Sequence, residues 1–392
     1  MGQTRLIASG IVMVGATFGL ARYGYGLLLP EMRGDFHLSS AAFGLIATGS
    51  YAAYIVGTLA VGTLSDRLGP RVPVVIGGAA AIAGMLLLAV AQSPAMLAAG
   101  VLIAGGSAAL AYPPFSDAVV ARVDPARRAR ALAWISCGTG WGVALAVPIA
   151  LAVGSRWHAA WAVFAALTAA ATAFAALTLG GRDRGTSRSP GALPTLSWSW
   201  FVCPRSGPLL VSALLVGVGA SVYWTFGADF VSSGDLAGSA GPVLLGVVGV
   251  ASVLGSFGGD FLERVGGRRA LTLSGAGLAL SLCSLALLHQ SWLVLLSAAA
   301  FGTAYNLVLA VQAVWSARVF ESRPATGLAA VMFMLGIGQL IGPPVAGALA
   351  DGAGLDVAFY GGGALIALTV LLTPREDLRH SAAEPDSAAT DA

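Results

Sequence analysis

Apolar residues run through this chain in blocks about as long as a bilayer core is thick, and polar residues fall almost entirely between the blocks. A hydrocarbon layer of about 30 Å needs about 20 helical residues. Blocks that satisfy this lie near 6–29, 40–63, 72–91, 95–121, 130–153, 157–180, 207–231, 241–262, 270–289, 291–317, 326–350 and 354–373. Two polar segments break the rhythm. "GRDRGTSRSPGALPTLSWSWFVCPRS" at 181–206 is the long connection, and "PREDLRHSAAEPDSAATDA" closes the chain with a composition that predicts disorder. The pattern therefore predicts an all-α membrane protein with twelve transmembrane helices in two six-helix bundles. An N-terminal bundle covers 1–180, a central loop 181–206, a C-terminal bundle 207–374 and a tail 375–392. The first block is read as an uncleaved span, because it is too long for a signal peptide, contains Arg22 and lacks a small-residue cleavage site.

Composition narrows the class further. Of 392 residues 57% are hydrophobic and 10% charged, against about 25% charged in soluble domains. The basic residues are all arginine, and a net charge of +3 offers nothing to a nucleic acid. Cys137, Cys203 and Cys283 lie far apart, as do the four histidines, so neither a disulfide framework, a metal site nor a cofactor is expected. Arginine distribution predicts topology. With the N-terminus inside, Arg33 and Arg156 alone fall in outer loops and 18 arginines fall inside, so both termini are expected in the cytoplasm and the chain in the cell membrane. Arg22 is left within a span.

Charge is concentrated at 62–71, "GTLSDRLGPR". Gly62, Asp66, Arg67, Gly69 and Arg71 are echoed by Gly259, Glu263, Arg264, Gly266 and Arg268, each 197 residues on. "ARV" at 121–123 recurs at 317–319, and Gly142 and Pro148 correspond to Gly338 and Pro344, all displaced by 196. One registered displacement near half the chain length indicates an internal duplication of six-helix units. A G-x-x-x-[D/E]-R-x-G-x-R loop between spans two and three, echoed between eight and nine, resembles the signature loop of the major facilitator superfamily. "YGYGLLLPEM" at 23–32 resembles, more weakly, a bacterial branch of it. There are departures. Span four, "LAAGVLIAGGSAALAYPPFSD", lacks the arginine of many proton-coupled members. Span five, "GTGWGVALAVP", lacks the Gly-Pro pair of antiporters, which stands instead in span eleven as "GQLIGPPVAG".

The duplicated loop has a physical use in a two-bundle carrier, which must close its cytoplasmic side yet reopen it. Gly62 and Gly69 allow turns and close approach, Asp66 can face helix N-terminal N–H groups of the opposite bundle, and Arg67 and Arg71 can reach carboxylates or helix C-terminal carbonyls. Arg122 and Arg318, at the inner ends of related helices, are candidate partners for Asp66 and Glu263. Arg127, Arg128 and Arg130 read more simply as topology signals.

Within the membrane a central arginine costs at least about 2.5–3.5 kcal/mol. Arg22 shares a helical face with Gly15, Gly19 and Gly26, a face that either packs closely on another helix or lines a cavity. The resemblance implies that spans one, four, seven and ten line the cavity, which favours the second. Asp229 on span seven is the expected partner of Arg22, and Asp117, after Pro113 and Pro114 on span four, lies nearer the inner side. These two aspartates are the candidate proton carriers. Tyr25, Tyr112, Tyr223, Trp224, Tyr305, Asn306 and Gln312 complete the candidate substrate site with apolar faces and polar tips, whereas Tyr51, Tyr54, Trp134 and Trp141 are assigned to packing.

The function expected is secondary transport of a small anionic or neutral solute by a monomeric carrier in the lipid bilayer, with protons as the coupling ion. Without lysine there is no G-x-x-x-x-G-K-[ST] loop for ATP. Proton-driven efflux of amphipathic drugs is the alternative. A polytopic sensor or membrane enzyme is disfavoured, because no soluble domain and no convergent cluster of His, Asp, Glu, Ser or Cys is visible.

Overall fold

The computed structural model describes residues 2–179, 205–233, 240–287, 290–321 and 324–372, and every regular element among them is helical. The central loop up to residue 204 and the tail from 373 lie outside the described residues, as do the side chains of Gly62, Asp66, Arg67, Gly259 and Glu263.

The first span is a single helical run of 35 residues, Gly2–Phe36. It passes from α1 (Gly2–Val14) through a π-helical stretch (Gly15–Arg22) into α2 (Gly24–Phe36). It is longer than the 6–29 expected from hydropathy. Pro30 sits inside α2 without ending it, so Arg33 is a helical residue rather than part of a loop. Spans two and three are α3 (Ser40–Leu68) and α4 (Arg71–Ala89), and the fourth is α5 (Pro94–Gly106), a 3-10 turn (Ser107–Leu110) and α6 (Tyr112–Arg122). Pro113 and Pro114 explain that break. At the start of α6 their missing N–H groups cost nothing, whereas mid-helix they would remove two backbone bonds. Then come α7 (Pro125–Val153), α8 (Trp157–Leu179) and α9 (Ser206–Ser233).

Span eight differs from the expected continuous helix. α10 (Ala240–Ser252) stops at a 3-10 turn (Leu254–Phe257) before a short α11 (Gly258–Val265). Gly255 in that turn lies so close to Asn306 of the facing helix that a Cβ would collide with it. The remaining spans are α12 (Gly267–Leu287), α13 (Ser291–Val319), α14 (Pro324–Ala353) and α15 (Leu355–Ala367) with a final 3-10 turn.

Helix ends follow the local sequence. Ser39 caps α3 by accepting from the N–H of Ala42 at 3.2 Å, and Ser93 caps α5 in the same way with Pro94 in the first turn. The duplicated loops turn on matching glycines, Gly69 at φ 74° and Gly266 at φ 84°, a backbone region that side chains with a Cβ rarely enter.

The two sets of six helices pack against each other along glycine-lined seams. Gly26 abuts the Trp224 carbonyl, Gly44 the Pro343 carbonyl, Gly347 the Ser40 carbonyl, and Gly140 and Gly249 approach each other's backbones. Small residues at such crossings let backbones touch in the absence of a hydrophobic drive between helices. These contacts run from mid-membrane to the end of the bundle that carries Arg33 and Asp351, here termed the far end. The near end carries Gly2, Arg122 and Leu179.

Candidate functional site

The π-helical stretch decides where Arg22 points. Its i→i+5 bond, Tyr23 N–H to the Phe18 carbonyl at 2.9 Å, adds a residue to one turn and rotates Arg22 out of the glycine face. That face packs rather than lining a cavity, which corrects the sequence-based expectation. Gly15 and Gly19 lie against Gly142 of α7, with a Cβ at Gly19 colliding with the Gly142 backbone.

The Arg22 guanidinium instead turns toward α3. Its carbon sits 4.0 Å from the Tyr54 ring centroid, 4.7 Å from Tyr51, 5.9 Å from Phe18 and 6.0 Å from Tyr23. Tyr51 and Tyr54, assigned to packing from the sequence, thus form half of an aromatic cage. Across the seam, Nη2 of Arg22 donates to Oε1 of Gln339 on α14 at 3.2 Å, and Nε2 of Gln339 donates to the Tyr305 hydroxyl at 3.3 Å. Tyr23 stacks on Trp224 at 4.1 Å, and Trp224 meets Phe301 and Tyr305 edge-on. The centre of the molecule is therefore one arginine, one amide and a ring of phenols and indole shared between the halves.

Arg22 is 6% exposed, and its Nε and Nη1 have no hydrogen-bond partner. It makes no ion pair with a described residue. Asp229 is not its partner, contrary to expectation, because that carboxylate is taken by Arg33. Nε of Arg33 donates to Oδ1 at 3.0 Å and Nη2 to Oδ2 at 2.8 Å. This is a bidentate fork, with Phe43 5.1 Å from the guanidinium. The extension of α2 beyond Pro30 brings Arg33 level with Asp229 on α9.

The Arg33–Asp229 pair belongs to the closed far end. Beside it Asp351, at the end of α14, accepts from the backbone N–H groups of Ser40 at 2.8 Å and Ala41 at 2.9 Å, the first turn of α3 in the other half. A carboxylate on a helix N-terminus across the bundle seam is the device expected of Asp66, and the structure shows it at the opposite end of the molecule. The contact is solvent-exposed and worth about 0.3–1 kcal/mol. Asp351→Asn is accordingly expected to raise about two- to five-fold the alkylation rate of a cysteine placed at Thr48, behind this contact, by a membrane-impermeant reagent. An unchanged rate would assign the far-end closure to the glycine seams and Arg33–Asp229 alone.

The other expected site residues divide. Trp224 and Tyr305 join Arg22. Tyr25 donates to the Phe43 carbonyl at 2.7 Å and Tyr112 accepts from Ser136 at 3.1 Å. Tyr223 is buried between helices of the second half, stacked on Phe301 at 3.9 Å with its hydroxyl 3.3 Å from Ser297. Asn306 donates to Gly302 of its own helix at 3.1 Å, and Gln312 to Ser212 at 3.0 Å. None of these five touches the Arg22 cage through the bonds described. Asp117 is exposed and accepts from Ser65 at 3.1 Å. At the near end Arg122 donates to the C-terminal carbonyls of α8, Thr178 at 3.3 Å and Leu179 at 2.8 Å, groups that a helix end leaves without intrahelical partners. Arg71, Arg264, Arg268 and Arg318 are exposed.

Sequence reasoning missed Gln339 and Tyr23 altogether, and Tyr51 and Tyr54 by assigning them to packing. Gln339 had a signal, an uncharged amide alone in the apolar run of α14, where a buried amide must find partners.

Two six-helix bundles, sealed together at one end around a buried arginine, define the architecture of a membrane transporter. The chain belongs to the Major Facilitator Superfamily, whose family description matches residues 11–288 and again 209–390, the second match reflecting the duplication. It is a multi-pass membrane protein. Monocarboxylate transporter 11 of mouse (Mus musculus) is 26% identical over 372 residues, spanning 88% of this chain and 81% of that protein. The human protein of the same name is 28% identical over 385 residues, spanning 92% and 79%. The fold is shared with the nucleoside transporter NupG, at TM-score 0.77 and 16% identity over 93% of this chain and 97% of that one. It is shared also with a bacterial homologue of the human lysosomal transporter Spinster in an inward-facing, unoccupied conformation, at TM-score 0.71 and 16% identity over 95% and 94%.

Proposed function

We propose that this protein carries a small carboxylate across the cytoplasmic membrane by alternating access, with Arg22 as the group that binds the anion. One observation carries the reading: a guanidinium held at mid-membrane with two buried N–H groups unmet. Each unmet buried donor costs about 1–3 kcal/mol, and intramembrane charge without a counter-charge is retained where it acts on a ligand. A carboxylate forks onto adjacent guanidinium nitrogens, Nη1 with Nη2 or Nε with Nη2, so it meets one of the unmet donors, takes over the Nη2 group now bonded to Gln339 and supplies the missing charge. The aromatic rings of Tyr23, Tyr51, Tyr54 and Trp224 suit an apolar body attached to it. Similarity to proteins named monocarboxylate transporter agrees with this substrate class.

Coupling to bundle motion follows from Gln339. It lies on the opposite half from Arg22, so an anion that takes over the guanidinium releases the Gln339 bond and loosens the seam at mid-membrane. With both termini cytoplasmic, as the arginine distribution supports, the far end is the outer gate, shut by Arg33–Asp229 and Asp351. The test is counterflow in proteoliposomes with labelled small carboxylates, nucleosides and cationic dyes. Counterflow of carboxylates alone is expected. Counterflow of dyes or nucleosides without carboxylates would overturn the reading, and dyes alone would return the efflux alternative.

Protons are the proposed driving ion, with Asp229 and Asp117 as carriers. Asp117→Asn should then retain exchange while losing accumulation driven by a pH step, and Asp229→Asn should lose that accumulation and also exchange more slowly, because it weakens the Arg33 fork of the outer gate. Undiminished accumulation in both variants would assign the drive to another ion or to the solute gradient alone.

A further inference from the structure

A second cationic site lies at the near end, about 25 Å along the first span from Arg22 by helical rise. A cavity of about 660 Å³ opens there between the starts of α1 and α7 and the ends of α6 and α8, lined by Gln3, Arg5, Arg122, Arg127, Leu177 and Thr178 among others. None of the described residues that line it is acidic. Arg5 and Arg127 bring two exposed guanidinium groups to one cavity beside the anchored Arg122, and an anion between them removes their mutual repulsion. The site is also braced. Arg122 is anchored on the Thr178 and Leu179 carbonyls, the Gln3 amide donates to the Arg122 carbonyl at 3.3 Å, and Arg5 lies over the Phe174 ring at 6.0 Å. Topology alone asks only for positive charge at this end of the helices. It does not ask for three arginines converging on one cavity.

We infer that this cavity binds a phosphate group. Planar guanidinium forks match phosphate oxygens bidentately, and a volume of about 660 Å³ falls in the range of small-ligand sites. The phosphate can come from an anionic phospholipid or from a soluble phosphate. The lipid source suits the position at the helix ends, the headgroup level of a bilayer, and the neighbouring Leu177, which is 72% exposed and offers an apolar flank to an acyl chain. An occupied site would tie α1, α7 and α8 of the first half together at the membrane surface. The inference is independent of the carboxylate reading at Arg22.

The experiment compares the purified full chain with Arg5→Gln/Arg127→Gln and Arg5→Lys/Arg127→Lys. Arg122 is left intact because it also holds α8. Retention of added phosphatidylglycerol, against phosphatidylcholine, is read by native mass spectrometry, and inorganic phosphate is titrated separately with thermal unfolding as readout. Each arginine near the surface is worth about five-fold in affinity for an anionic lipid, so the Gln pair should lose about twenty-five-fold and the Lys pair less. Loss confined to phosphatidylglycerol identifies a lipid site, and loss of a phosphate-induced thermal shift identifies a soluble ligand. If the Gln pair is poorly folded, the two single Gln variants carry the same test at about five-fold each. Equal binding of both probes by wild type and the Gln variants, or preference for neither probe over phosphatidylcholine and chloride in the wild type, would overturn the inference.

Discussion

Arg22→Gln is expected to lower affinity for a transported carboxylate at least about thirty-fold while leaving the protein as well folded as the wild type or better. The two halves of that expectation have separate causes. Losing one partner of a buried charge-assisted contact costs about 2–5 kcal/mol of binding. Folding is different, because Arg22 brings its own cost. Its guanidinium has one hydrogen bond, to Gln339, and cation–π contact with Tyr51 and Tyr54, set against burial of a charge with two unmet N–H groups. The rings return about 0.5–2 kcal/mol and the hydrogen bond about 1.5–3, whereas each unmet donor costs about 1–3 and the charge itself at least about 2.5–3.5. A neutral side chain at this position removes the larger quantities. Arg22→Lys should also transport poorly, since a point charge does not reproduce a planar fork. Monodispersity in detergent, thermal unfolding and carboxylate counterflow of both variants check this. A variant that unfolds and regains both stability and transport when Gln339 is also replaced would make Arg22 a structural residue.

Gly26→Val with Gly44→Val is expected to abolish exchange by a different route. A Cβ at Gly26 would collide with the Trp224 carbonyl and one at Gly44 with the Pro343 carbonyl, and both obstacles are backbone of the opposite half. Side chains can yield by changing rotamer, but backbone inside a packed helix cannot, so overpacking at each crossing costs about 1–3 kcal/mol or more. The strain exists only while the far end is closed. Together the two costs come to about 2 kcal/mol or more, which moves the equilibrium between open and closed far ends by about thirty-fold or more in favour of the open one. The double variant should react rapidly at a cysteine placed at Thr48, bind carboxylate from the far side and exchange almost none of it. Wild-type exchange rates would mean that the far-end closure is not part of the transport cycle.

Spans, halves and the duplicated loop were legible in the sequence because each leaves a periodic or repeated trace: block length, a constant displacement and matching glycines. Gly69 and Gly266 could be paired by spacing before their positive φ angles were known. Partnership across the bundle seam leaves no such trace. Asp229 reads as the partner of Arg22 because the resemblance makes spans one and seven neighbours at the cavity, and a first span that ends near residue 29 leaves Arg33 in a loop, whereas α2 continues through Pro30 to Phe36 and presents Arg33 to the same carboxylate. The facing of Arg22 was misjudged for a related reason. A helical wheel at about 100° per residue assumes regular α geometry, and the π-helical stretch at Gly15–Arg22 breaks that assumption just before the residue of interest. Tyr51 and Tyr54 could not be told from packing residues, since an aromatic pair three apart on α3 reads the same whether it faces a neighbouring helix or a buried cation. The break in span eight, by contrast, had a visible cause in the glycines around 255–259.

Carboxylate recognition by Arg22 is tested most directly by comparing, on the purified wild type and on Arg22→Gln, the binding of a transported carboxylate with that of its neutral amide, two ligands of nearly equal shape. The wild type should bind the acid at least about thirty-fold more tightly than the amide, and Arg22→Gln should bind the two alike. Equal binding of acid and amide by the wild type, or the same preference in both proteins, would contradict a site built on that guanidinium.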